Sequence, residues 1–118
     1  MSIFSSLSAL SAFSTGIHGS GYNLANVNTD GFNPVSVHYR SGSPDDQGVH
    51  ALVTRPGSTG DVVDISPEAM MAGAINPSNT DMAREFTSMM INQRSFEANA
   101  ATVRTYDDMS GTVINMKI

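Results

Sequence analysis

Beyond Pro77 the chain has no further proline, and its one remaining glycine is Gly111. Nothing in this stretch stops a helix once it has begun. Ser78-Asn79-Thr80-Asp81 reads as a capping box with an acidic residue at its third position, and Pro77 is the break ahead of it. Met82, Phe86, Met89, Phe96, Ala100, Val103 and Ile114 then follow a four-three spacing, with Gln93, Asp107 and Ser110 as polar members of the stripe. The predicted helix of about 38 residues would be roughly 57 Å long. A compact domain of 118 residues has a radius of gyration of only about 13–14 Å. Such a helix cannot be covered by its own chain, and Ile91, Met109 and Met116 lie off the stripe, where they need a partner surface.

A second helix is predicted at the other end, from Ser2 to about Val27. Ile3, Leu7, Leu10, Ile17 and Leu24 recur at alternating four and three spacings, Ser14 and Gly21 fill the intervening stripe positions, and Phe4 and Phe13 widen the stripe. Gly16, Gly19 and Gly21 lie inside it, each costing about 1 kcal/mol relative to alanine. Two readings follow: the glycines end the helix near Thr15, or they let another helix approach closely. Between the terminal helices, Asp30-Gly31, Ser43-Pro44-Asp45, Arg55-Pro56-Gly57 and Ser66-Pro67 punctuate short alternating runs. Val35–Tyr39 and Val49–Val53 are expected to form a hairpin, with Asp61–Ile65 as a third strand. A lone hairpin is barely stable in water, so it needs support from the helices or from neighbours. The expected fold class is mainly α with a small β insert: residues 1–30 together with 76–118 form a coiled-coil-like helical unit, and 31–75 form a β/loop insert.

Composition narrows the function. Six Lys and Arg against 11 Asp and Glu give a formal charge of −5, a field that repels nucleic-acid phosphates and anionic lipid. The first basic residue is Arg40, and Ser2, Ser5, Ser6, Ser8 and Ser11 interrupt the opening stretch, so a cleaved secretory signal is not expected. No apolar run is long enough to span a bilayer. With no cysteine, disulfides and thiolate chemistry are excluded. His18, His38 and His50 lack the i+3 or i+4 partners of a helical metal site. Gly16-Ile17-His18-Gly19-Ser20-Gly21 lacks the strand and the Lys-Ser or Lys-Thr of a phosphate loop, and it is not a nucleophile elbow. Asp45-Asp46, Asp61 with Asp64 and Asp107-Asp108 do not have calcium-loop spacing and read as solvated charges. Neither a catalytic site nor a cofactor is expected.

Asn23-Leu24-Ala25-Asn26-Val27-Asn28-Thr29-Asp30-Gly31-Phe32 resembles the N-terminal signature of bacterial flagellar rod and hook axial proteins. Ser78-Asn79-Thr80-Asp81-Met82-Ala83-Arg84-Glu85-Phe86, followed by Gln93-Arg94-Ser95-Phe96-Glu97-Ala98-Asn99, resembles the matching C-terminal signature. Read physically, Asn23, Asn26 and Asn28 can bond the free groups at a helix end, Gly31 permits positive φ, and Phe32 anchors the turn. The resemblance implies a structural subunit whose terminal helices pack as an inner tube, with copies of itself and other axial proteins as partners. It further implies export without a cleaved signal, through the flagellar export apparatus, and a loosely folded free monomer. A flagellar cap, adaptor or secreted accessory module is the alternative. Asp30 stands where the family usually has proline, and the short stretch between Phe32 and Ser78 suggests a short rod-type member. The C-terminal signature is closer to the distal rod and hook branch.

Overall fold

A computed structural model describes residues 2–43, 47–55 and 78–117. Helix α1 spans Ile3–Ala25, strands β1 and β2 span Ser36–Ser41 and Val49–Thr54, and helix α2 spans Met82–Met116. The architecture is mainly helical, with one small antiparallel sheet between the terminal helices, as the hydrophobic spacing predicts. The proposed third strand, Asp61–Ile65, lies outside the described residues. No helix among the described residues is long and apolar enough to cross a membrane.

Helix α1 opens on Ser2, whose hydroxyl accepts from the Phe4 amide at 3.3 Å. It continues unbroken through Gly16, Gly19 and Gly21, so the glycines serve close approach and do not end the helix. A Cβ on Gly16 would collide with the Tyr39 hydroxyl and stand 2.6 Å from the Asn92 amide nitrogen, and one on Gly19 would stand 2.7 Å from Val37. After Ala25 the backbone turns, and Gly31 supplies the turn's positive φ of 69°.

Helix α2 begins later than the capping-box reading places it. The cap is Asp81, whose carboxylate accepts from the Arg84 amide at 3.2 Å. Ser78 instead closes a local turn with the hydroxyl and amide of Thr80. Aspartate and serine rank alike as caps, and the charged acceptor here also faces the positive end of the helix dipole.

The helices are antiparallel, since Asn23 touches Glu85 while Gly16 lies beside Asn92. With a common rise per residue, that register brings Ile3 level with roughly Thr105. The last three turns of α2, about 16 Å, therefore project beyond α1. The molecule is accordingly elongated, 80 × 28 × 15 Å with a radius of gyration of 20.7 Å, far above the compact value.

The hairpin pairs Val37 with Val53, Tyr39 with Ala51 and Ser41 with Val49. Its inner face rests on α1: the Tyr39 ring lies 5.1 Å from Phe13, and the Val49 amide donates to the Ser8 hydroxyl at 3.0 Å. Tyr39 then reaches α2, its hydroxyl donating to Asn92 Oδ1 at 2.6 Å. Burial raises the pKa of this phenol, and the bond to Asn92 opposes the rise.

A polar joint at the other end ties three elements together. The Asn23 side chain is almost fully buried. Its Nδ2 donates to the Val35 carbonyl at 2.8 Å and to Glu85 Oε1 at 3.0 Å, while the Val35 amide donates to its Oδ1 at 2.8 Å. One primary amide thus pairs a backbone segment on both edges and also reaches the first turn of α2.

Asn23→Ala should lower unfolding free energy by about 2–4 kcal/mol, because the buried Val35 amide and carbonyl lose their partners; urea unfolding followed by circular dichroism measures this. Gly16→Ala should lower it by about 1–3 kcal/mol through overpacking. Gly111→Ala, where a Cβ meets nothing within 4 Å, should raise it by roughly 1 kcal/mol. Because the pKa of Tyr39 is raised in the folded state, its contribution is present below the unfolded-state value of about 10 and declines as pH rises through the folded value. Tyr39→Phe should flatten that alkaline decline in a pH series of melts.

Candidate assembly surface

The buried face of α1 is a line of small and polar residues: Ser6, Ala9, Ala12, Gly16, Ser20 and Asn23, at spacings of three and four. The stripe of large apolar residues lies beside this line, rotated by roughly a quarter turn around the helix axis. Ile3, Leu10, Ile17 and Leu24 are half-buried along its flank, and Leu7 is exposed. Phe4, beside Leu7, is 74% exposed. The most buried positions of α1 therefore fall on side chains that large-hydrophobic spacing passes over, and three-four spacing of Ser, Ala and Gly is the signal that finds them.

On α2 the half-buried line runs through Glu85, Ser88, Met89, Asn92, Ser95, Phe96, Asn99, Ala100 and Val103, with Asn92 buried. Met89, Phe96, Ala100 and Val103 of the expected stripe lie on this line, whereas Met82, Phe86 and Ile114 are exposed. Asn92 and Tyr39 are the residues that sequence reasoning missed. An asparagine within a helix and a tyrosine in a strand carry no pattern that pairs them.

The two signature segments meet at the polar joint. The Asn79 amide donates to the Phe32 carbonyl at 3.1 Å, and its side chain donates to Asn33 Oδ1 at 3.0 Å. Phe32 is half-buried and lies edge-on to Tyr22, with ring centroids 5.5 Å apart. Asn26 caps α1 as expected, its side chain donating to the Tyr22 carbonyl at 2.9 Å and accepting from Thr29. Leu24 and Val27 are half-buried beside it, and Ala25, Asn28 and Thr29 face outward. In the second signature, Gln93 and Arg94 both reach Glu97 at 3.3 Å on the exposed surface. Ala98 is exposed as well, and Asn99 turns back to the Ser95 carbonyl.

A shallow cleft of about 240 Å³ opens at the joint between β1 and the start of α2, lined by Ser20, Asn23, Val35, Asp81, Arg84 and Glu85. Asn23 and Glu85 are already bonded to each other across it, and Asp81 is committed to its cap. Among the described residues, no three His, Cys, Asp or Glu side chains converge on a metal position.

What the surface offers instead is apolar area. From Arg104 to Lys117 every residue of α2 is exposed, including Tyr106, Met109, Val113, Ile114 and Met116. In the antiparallel register this overhang starts beside the N-terminal end of α1, where Phe4 and Leu7 are also exposed. Met90 and Ile91 extend the same character to the middle of α2, and Met82 and Phe86 to its start. Scattered exposed hydrophobics are ordinary, but here they run along one helix and continue onto the end of a second.

Residues 71–116 match the family model described as flagellar basal body rod FlgEFG protein C-terminal. The chain is 42% identical over 48 residues to flagellar hook protein FlgE of Treponema pallidum, covering 41% of this chain and 10% of that protein. It is 31% identical over 96 residues to FlgE of Rhizobium meliloti, covering 80% of this chain and 21% of that protein. Over 92 residues it is 29% identical to flagellar basal-body rod protein FlgG of Bacillus subtilis, covering 77% of this chain and 32% of that protein. The match therefore spans no more than a third of the length of any of these relatives. With its two signature segments joined through Asn79 and its last helix matching the rod-protein C-terminal segment, the chain is similar to the flagellar rod and hook proteins.

Proposed function

We propose that this chain is a structural subunit of the flagellar rod or hook, and that its terminal helices polymerise into the axial tube. The observation that carries this reading is the uncovered apolar length of α2, which projects past α1 with Tyr106, Met109, Val113, Ile114 and Met116 all exposed. In this reading residues 1–30 and 76–118 act as the packing unit, and residues 31–75 form an insert carried on it. Copies of the chain and other axial proteins cover the exposed seams, and the subunit passes through the flagellar export apparatus before it assembles. The seam residues proposed for packing are Ile3, Leu7, Leu10, Ile17 and Leu24 on α1 and Met82, Phe86, Met89, Phe96, Ala100, Val103 and Ile114 on α2. Those already half-buried within the chain share their surface between the helix pair and the neighbour.

Concentrated or seeded protein should form regular helical assemblies under the electron microscope, with helical circular dichroism rising as concentration rises. Assembly that stops at small discrete complexes would favour an adaptor or accessory module over a tube subunit. Phe86→Asp places a charge on the exposed seam without touching the buried line. It should raise the concentration needed for assembly about tenfold or more, because the carboxylate must be desolvated at the interface. The monomer's spectrum should be unchanged. Wild-type-like assembly of this variant would remove Phe86 from the seam.

A further inference from the structure

Thioethers are concentrated on α2, where Met82, Met89, Met90, Met109 and Met116 account for five of the eight methionines in the chain. Their surroundings differ sharply. Met90, Met109 and Met116 are 66%, 59% and 80% exposed, and Met82 is the least exposed of the four surface thioethers at 46%. Met89 is half-buried, its methyl 4.0 Å from where a Cβ on Gly21 would stand. Methionine suits an interface that must repack, because it is unbranched and polarisable. It is also the one apolar side chain in this surface that a mild oxidant converts into a polar one. The chain contains no cysteine to compete for such an oxidant.

We propose that Met90, Met109 and Met116 form an oxidation site for peroxides, and that sulfoxide formation there blocks packing of the subunit while leaving its own fold intact. The inference rests on the reading of α2 as a packing surface. In the reaction the thioether sulfur attacks one oxygen of hydrogen peroxide. The O–O bond breaks and an S–O bond forms. The sulfur loses two electrons, the departing hydroxide takes the proton of the transferred hydroxyl, and water leaves. Each event replaces an apolar contact group with a strong hydrogen-bond acceptor, which an interface can bury only at the cost of its hydration. None of the three side chains belongs to the buried α1–α2 line, so the pairing of the two helices is spared.

The subunit is treated with hydrogen peroxide until each exposed methionine is about half oxidised, then concentrated and sedimented. Peptide mass spectrometry of pellet and supernatant reads the sulfoxide fraction at each site. Sulfoxide at Met90, Met109 and Met116 should be depleted at least about fivefold in the pellet relative to the supernatant. Met89 should oxidise more slowly than these three. Equal sulfoxide fractions in pellet and supernatant would overturn the proposal, as would loss of the monomer's helical spectrum on oxidation. A variant carrying Met82→Leu, Met90→Leu, Met109→Leu and Met116→Leu keeps apolar volume and should assemble equally well before and after peroxide, whereas Met82→Leu alone should leave the sensitivity in place; the opposite result for either would also overturn it. If untreated protein never sediments, the reading of α2 as a packing surface fails and takes this proposal with it. If untreated protein sediments and the oxidised protein follows it, only the oxidation site falls.

Discussion

The close contact between the two helices depends on the small size of one line of side chains. Ser6, Ala9, Ala12, Gly16, Ser20 and Asn23 form the buried face of α1, and none is larger than asparagine. Small residues let backbones approach and let a hydroxyl or amide from another element fit between them. At Gly16 the space a Cβ would need is taken by the Tyr39 hydroxyl and the Asn92 amide, so hairpin and second helix converge on one glycine. The same smallness limits what the pair can gain from burial. Among the described residues the buried apolar side chains are Ala9, Ala12 and Val35, and at about 25 cal/mol per Å² these offer little against the entropy of ordering the chain.

Polar bonds therefore supply much of the geometry. Asn23 fixes the segment before β1 and the start of α2 with one side chain, and Asn79 fastens the loop before α2 to Phe32 and Asn33. Bonds of this kind are directional, so they specify where the ends lie more than they stabilise the whole. They place the C-terminal end of α1 beside the start of α2 and set the antiparallel register from which the α2 overhang follows.

The broad fold was readable because each element has its own period. A proline-free stretch with four-three spacing can only be a long helix, and alternation between turn signals reads as a hairpin. The helix start at Asp81 was harder, because Ser78, Thr80 and Asp81 are all acceptable caps and only tertiary bonds, here Asn79 to Phe32, decide which one is used. The sequence around Gly16 allows two readings for a similar reason: local propensity opposes glycine in a helix, and only the arrival of Tyr39 and Asn92 shows what its missing side chain makes room for. The large hydrophobic stripe of α1 is visible in the sequence as a pattern. Its orientation was not legible, because a helix seen alone does not reveal which of two adjacent faces its partner takes.

The division of α1 into two faces connects the fold to assembly. If large side chains lined the contact with α2, the pair would close as a self-sufficient two-helix unit and leave little apolar surface to offer. With small and polar residues there, Phe4 and Leu7 are left for an outside partner, joined by the uncovered end of α2. In the proposed assembly such a subunit gains order when a neighbour binds, since binding stabilises the state that presents both surfaces in register. In that assembly weak internal packing and an uncovered apolar surface are two sides of one property, because a helix of 23 residues does not cover one of 35.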